Sequence, residues 1–324
     1  MKTSDFNYHL PQELIAQNPL KNRDKARLMV LHRDTKTIEH RYIHELPKIL
    51  NSDYVLVMNE TQVFPARLKG EINKKEIEIL LHRELSENTW ECLVKPGKRF
   101  KKDSQVTFDG LTATVININE DGSRILEFNK KGMALAKHID QIGETPLPPY
   151  IKHSSSAPEQ YQTIYAKNRG SVAAPTAGLH FTPSLLKKLD QKGIDQHFVT
   201  LHVGRGTFEP VKAEHIHDHQ MHHEWFDLSS ETAQKLNQAK ASGKKIIAVG
   251  TTSSRTLESC AQNGHLTAKT ESTDLFITPG YKFQFIDGLL TNFHLPQSTL
   301  LMLVSALAGQ EFIKRAYLEA IAQK

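Results

Sequence analysis

Cysteine is nearly absent. The chain has 324 residues and two cysteines, Cys92 and Cys260, far apart in sequence. They can build neither a disulfide framework nor a cysteine-rich zinc site, and this points to a reducing, cytoplasmic setting. Long apolar runs are missing too. The most apolar stretch, Leu300 to Ala308, falls well short of the ~18 residues that a membrane span needs. Met1 to Leu10 is polar and has no signal-peptide core. No membrane partner is expected. Charge of one sign is also scarce: 41 Lys and Arg face 36 Asp and Glu, a net +5. That balance permits a polyanionic partner without requiring one. No P-loop lysine follows a glycine-rich turn, and no spaced glycine fingerprint follows a strand. An ordinary NTPase or dinucleotide enzyme is therefore disfavoured.

What is present suffices for a folded core. Apolar residues make up 39% and charged residues 24% of the chain. At ~150 residues per domain the length suggests about two domains. Histidine is the excess: eight of the 17 lie between His180 and His223, where even spreading would put about two.

The texture changes along the chain. Leu28 to Leu31 and Tyr54 to Met58 are short apolar runs that read as buried strands, with a short helix from His44 to Leu50 between them. From about Arg67 to Asn129 the pattern alternates, as in Glu76 to Leu81 and Thr112 to Ile116. Asp109-Gly110 and Asp121-Gly122 mark hairpins there. A small antiparallel β-barrel-like unit is expected. A helix from Met133 to Ile142 is expected to stop at Gly143, and Pro146 to Tyr150 is a stiff connector. Later, Thr182-Pro183 opens a helix that Gly193 ends, and Phe198 to Val203 reads as a strand. A helix follows from Ser230 to Ala241, and the strand Lys245 to Val249 runs into Gly250. One amphipathic helix from about Ser298 closes the chain. The fold class is α/β: a mixed α/β core domain, residues 1–64 and 151–324, with an inserted antiparallel β-barrel-like domain, residues 65–150.

Several junctions carry chemistry-bearing residues. Ala174 to Thr182 places Thr176, Gly178 and His180 before a capped helix, where backbone amides can approach a ligand. His202-Val203-Gly204-Arg205-Gly206-Thr207-Phe208-Glu209 ends a strand with an arginine between glycines, able to clamp a carboxylate or phosphate. Gly250 to Arg255 is a hydroxyl-rich strand-to-helix turn. Thr291-Asn292-Phe293-His294 leads into a last helix start. Each junction also reads as an ordinary turn or cap; with the run His215 to Glu224 they make five in one half of the chain, which argues for a site. His215 to Glu224 invites a metal-dependent hydrolase reading, yet it matches neither His-x-His-x-Asp-His nor His-Glu-x-x-His. Lys95 to Lys102 holds five basic residues and Phe100. It reads either as a solvated face or, with an exposed aromatic, as a nucleic-acid contact. A non-catalytic RNA-binding protein is thus a third reading.

Together these segments resemble the S-adenosylmethionine:tRNA ribosyltransferase-isomerase family of queuosine biosynthesis (the QueA family). The resemblance runs nearly end to end. It includes Leu10-Pro11 with Leu14 to Gln17, Asn59 to Leu68, Gly143 to Ile151, Tyr161 to Tyr165, Ala174 to Thr182, His202 to Glu209, Gly250 to Arg255 and Thr291 to Thr299. Two departures stand out: Gln160 where the family has arginine, and Ser171 where it has alanine. Within the histidine run only His219, Met221, His222 and Glu224 match.

The resemblance implies a transferase that consumes S-adenosylmethionine as a ribosyl donor, with no permanently bound cofactor and no metal. Its partner would be a tRNA with a GUN anticodon that carries 7-aminomethyl-7-deazaguanine at the wobble position. The products would be epoxyqueuosine-tRNA, adenine and methionine. Candidate proton carriers are His180, His202, His219 and His222, with Glu224 orienting them. Substrate contacts are assigned to Thr176, Gly178, Arg205, Glu209, Thr252, Ser253, Arg255, Asn292 and His294. Contacts with tRNA are assigned to Arg67, Lys95, Lys98, Arg99, Lys101 and Lys102. A monomer is expected.

Overall fold

The computed structural model describes residues 1–154, 157–204 and 211–324. The chain folds as two compact units, one made of Met1–Gln62 and Pro148–Lys324, the other of Val63–Leu147. No helix among the described residues is long and apolar enough to cross a membrane.

The larger unit is built on a six-stranded mixed sheet. Its strands run in the spatial order Lys269–Thr273, Glu224–Leu228, Asp195–Leu201, Tyr54–Asn59, Lys245–Val249 and Gly288–Leu290. The last four are mutually parallel, and Glu224–Leu228 runs antiparallel to both of its neighbours. The central strand explains the packing. A strand covered on both faces needs a continuous apolar run rather than an alternating one, and Val55-Leu56-Val57-Met58 supplies it. Val55 and Val57 enter a core with Leu236, Leu257 and Phe285 on one face. Leu56 and Met58 enter another with Phe181, Leu185 and Leu189 on the opposite face. The helix Pro183–Gln191 starts as its sequence dictates, with the Thr182 hydroxyl accepting from the Leu185 amide at 3.1 Å and Pro183 at the first position.

Behind the sheet, the helix Thr251–Cys260 is buried almost throughout. It carries two opposite charges one turn apart, and both are used. Arg255 pairs with Glu224 inside the protein, and its guanidinium also donates to the Leu275 carbonyl (3.1 Å) and the Thr273 carbonyl (3.4 Å). The Glu258 carboxylate accepts from the Tyr281 hydroxyl and from the amides of Gln284, Phe285 and Ile286, at 2.7–3.1 Å.

The smaller unit is a closed antiparallel barrel. Its strands follow the order Arg124–Phe128, Thr89–Lys95, Lys75–Ser86, Arg67–Ile72, Gln105–Phe108 and Leu111–Ile118. Alternation fills it: Ile77, Ile79 and Leu81 point inward, as do Leu111, Ala113 and Val115. Asp109-Gly110 makes the expected hairpin, pairing Phe108 with Leu111. A helix, Gly132–Ile142, adds Leu135 and Ile139.

Four local expectations are corrected. Leu28 to Leu31 is not a buried sheet strand. It lies in a half-buried two-stranded ribbon, Arg27–His32 against Thr37–Tyr42. The segment after His44 is a single short helix, Leu46–Ile49, preceded by a 3-10 turn. Gly143 is not a left-handed helix stop, because its φ is −81°; glycine is needed because a Cβ would lie 2.1 Å from the Pro65 carbonyl oxygen. The closing helix is two, Thr299–Ala308 and Gln310–Ala322, broken at Gly309 with φ +94°. The first of them is buried (Leu301, Met302, Leu303, Val304), so it is a core element rather than an amphipathic one.

Candidate active site

The four parallel strands end at one edge of the sheet, at Asn59, Leu201, Val249 and Leu290. The motif segments continue from those ends. Open parallel sheets bind ligands outside the carboxyl ends of their strands. The edge is fastened internally. The buried Asn59 amide donates to the Leu201 carbonyl (2.9 Å) and accepts from the amides of Leu201 (3.1 Å) and Thr61 (3.0 Å). Ser171, one of the departures from the family pattern, is used as well. Its hydroxyl donates to the Ala173 carbonyl (2.7 Å) and accepts from the Val203 amide (2.9 Å).

His202 follows directly. Its Nδ1 lies 2.8 Å from the Thr61 hydroxyl, and its ring stacks on Trp225 at 4.7 Å. Burial pulls its pKa down to about 4, so the imidazole is neutral at physiological pH. His180 sits on the 3-10 turn Thr176–His180. Burial lowers its pKa also, while the Arg23 backbone carbonyl faces the ring and holds a proton there. A neutral imidazole carries one N–H, and with that proton on the Arg23 side Nε2 is the acceptor. It takes a hydrogen bond from Asn292 Nδ2 at 3.0 Å. The segments Ala174 to Thr182 and Thr291 to His294 therefore meet.

The same turn reaches two more segments. A Cβ on Gly178 would lie 2.1 Å from the Tyr165 hydroxyl and 2.9 Å from Thr163 Cγ2. The Ala177 side chain lies beside Gly250, whose amide donates to the Leu290 carbonyl at 2.8 Å. Around this turn, buried polar atoms stand without protein partners: Thr163 Oγ1, Tyr165 OH, Thr252 Oγ1 and Asn292 Oδ1, with Ser254 Oγ on the adjoining helix. A buried unsatisfied polar group costs roughly 1–3 kcal/mol, so a cluster of them reads as a site completed by a ligand. Thr163, Tyr165 and Ser254 were not singled out from sequence. A hydroxyl declares itself only once its burial and its missing partner are known.

Other candidates have prior engagements. Ser253 donates its hydroxyl to the Val249 carbonyl (2.9 Å). Arg255 is not a free clamp, because Glu224 and two carbonyls take its guanidinium. Glu224 accepts from the Gly204 amide at 2.9 Å. His294 is a packing node. Its amide donates to the Tyr317 hydroxyl (2.9 Å), its carbonyl accepts from the Tyr8 hydroxyl (2.6 Å), and burial pulls its ring pKa down to about 4. Thr176 is half-buried at the start of the turn. Arg205 and Glu209 lie outside the described residues.

The histidine run does not converge. His219 sits edge-on to Phe276 at 5.4 Å, His217 faces Asp218 at 3.3 Å, and His222 and His223 are exposed. Among the described residues no group of three or more His, Cys, Asp or Glu is arranged to hold a metal ion.

In the barrel unit, Lys95, Lys98, Lys101 and Lys102 are exposed. One expectation fails there. Phe100 is 1% exposed, a core residue rather than a stacking surface. Arg99 is half-buried and donates to the Glu76 carbonyl. Arg67 is half-buried with Nε 3.6 Å from Glu78.

Comparison with known proteins agrees with this arrangement. A family model described as "Queuosine biosynthesis protein" matches residues 3–324. Curated relatives named S-adenosylmethionine:tRNA ribosyltransferase-isomerase include one from Desulfitobacterium hafniense, 51% identical over 100% of this chain and 96% of its own length. Another, from Clostridioides difficile, is 49% identical over the same shares. A crystal structure from Thermotoga maritima, described as an S-adenosylmethionine tRNA ribosyltransferase, is 40% identical, with TM-score 0.56, and covers 99% of this chain and 95% of that one. With a match over almost every residue at about half identity, the chain belongs to the queuosine biosynthesis protein family.

Proposed function

We propose that this chain transfers and isomerises the ribosyl moiety of S-adenosylmethionine onto 7-aminomethyl-7-deazaguanine at the wobble position of GUN-anticodon tRNA. The observation that carries this reading is the full-length match to relatives of that name. The sheet edge supports it with buried hydroxyls, a fixed amide and neutral imidazoles. The metal-dependent hydrolase draws no support from the divergent histidine run, and a purely RNA-binding role leaves the unsatisfied cluster without purpose.

The chemistry sets four demands. The attacking amine must be unprotonated, though its reference pKa is near ~10. A C5′ proton beside the sulfonium must be removed. Adenine must leave with the glycosidic electron pair and gain a proton on a ring nitrogen. Methionine must leave as a neutral thioether while the epoxide closes. His180 and His202, neutral because they are buried, accept protons; His219 and His222 relay them toward solvent. Thr176 and the Gly178 turn line the ligand. Glu224 and Arg255 act at one remove, holding Gly204, next to Arg205 in sequence. Arg205 and Glu209 are assigned to the methionine carboxylate and the sulfonium.

Residues 65–150 supply the tRNA contact through Lys95, Lys98, Lys101 and Lys102, while residues 1–64 and 151–324 do the chemistry. The protein works as a cytoplasmic monomer with no resident cofactor. Incubation with precursor tRNA and S-adenosylmethionine should release adenine and yield epoxyqueuosine by nucleoside mass analysis. His180→Ala should slow single-turnover adenine release by about 10²-fold or more. Absence of adenine release by the wild type rejects the reading.

A further inference from the structure

We infer that Asn292 and the hydroxyls around the Thr176–His180 turn form a subsite that reads the amino edge of adenine. This rests on S-adenosylmethionine being the substrate. The orientation of the Asn292 amide follows from its neighbour. In the tautomer whose N–H faces the Arg23 backbone, His180 Nε2 accepts and Asn292 Nδ2 is the donor at 3.0 Å. The amide therefore turns its oxygen away from His180, buried and without a protein partner. A buried carbonyl oxygen so held is completed by an N–H or O–H donor and opposed by any acceptor.

Asparagine commonly reads adenine with both amide atoms. Here the amide nitrogen is engaged, so a second group must supply the donor for a ring nitrogen. The partnerless hydroxyls of Tyr165 and Thr252 fill that role. Burial raises the Tyr165 pKa well above its ordinary value, so the phenol keeps its proton. One carbonyl acceptor and hydroxyl donors around the same turn complement an amino group next to a ring nitrogen. Hypoxanthine, with a carbonyl in place of the amine, would set two acceptors against each other. The aminomethyl group of the tRNA base is the other source of an N–H donor. Both groups are neutral N–H donors when reactive, and the deaminated donor analogue separates them.

The test compares S-adenosylmethionine with its deaminated analogue, S-inosylmethionine. On the wild type, kcat/KM for base release should fall by about 100-fold or more with the analogue, and calorimetric binding should weaken in parallel. Asn292→Ala should lower activity on S-adenosylmethionine and shrink the discrimination to a few-fold. Equal use of both donors by the wild type overturns the inference while leaving the ribosyl-transfer reading intact. So does discrimination that survives in Asn292→Ala. A variant that raises KM for tRNA alone and keeps full discrimination assigns the oxygen to the aminomethyl group instead. Wild-type binding of the two donors reads the subsite without turnover, so an Asn292→Ala variant that fails to fold does not protect the idea.

Discussion

Two buried polar groups, Arg124 in the barrel and Asn292 at the sheet edge, are treated in opposite ways. Inside the barrel, Arg124 is 9% exposed and spreads its guanidinium over the carbonyls of Gly97, Phe100, Gly122 and Ser123. It stitches one loop to another and asks nothing of a ligand. In the sheet unit, one edge keeps several hydroxyls and an amide oxygen unsatisfied. A fold can hide polarity as internal mortar or leave it open for a guest, and the hydrogen-bond tally separates the two.

The largest effect should come from breaking what is closed within the sheet unit. Arg255→Met leaves Glu224 buried without its cation and should destabilise the protein by about 3–5 kcal/mol, read by urea denaturation. Glu224→Leu on top of it should recover much of that loss. If the single variant melts like the wild type, the pair is not the fastener described.

A pH scan comes next. His202 and His294 fall from 6.5 to about 4 in the folded state. Between those values the unfolded chain binds more protons, so stability holds above pH 6.5 and declines as pH drops toward 4. His202→Asn should flatten part of that slope.

The open edge offers the opposite sign. Ser254→Ala removes a partnerless hydroxyl and should stabilise the free protein by about 1 kcal/mol while slowing turnover. Ser253→Ala removes a hydroxyl bonded to Val249 and should gain nothing. Equal shifts in the two would erase the distinction between closed and open polarity.

Much of this was legible beforehand. The barrel was, because alternation and Asp-Gly turns are local signals that a six-stranded closure obeys. The pairing of His180 with Asn292 was legible only as two motifs, since 112 residues separate them. Phe100 reads as exposed because charge flanks it on both sides, whereas the pinned loop turns its ring inward. Arg255 reads as a free clamp for a related reason: a cation on a helix start invites a ligand unless a buried carboxylate, 31 residues away, claims it first. Sequence shows which groups could bind; only packing shows which are already taken.

The smallest effects belong to the exposed lysines. Neutralising Lys98, Lys101 and Lys102 should lower the salt slope of tRNA binding by about 2, given ~0.7 per single-strand phosphate contact. Replacing Arg99, whose guanidinium is tied to Glu76, should change the slope less.

One helical turn has a wider consequence. Arg255 moors the chain at Thr273 and Leu275, and Glu258 moors it again at Gln284 to Ile286. The stretch between hangs like a bight of rope from two cleats on the same spar. Ile277 is buried and the Tyr281 hydroxyl is tied to Glu258, so the slack is confined to the exposed turn at Gly280. Residues inserted after Gly280 should lengthen the loop and leave the denaturation midpoint where it was, which makes this bight a place for the chain to vary in length while the edge that does the chemistry stays still.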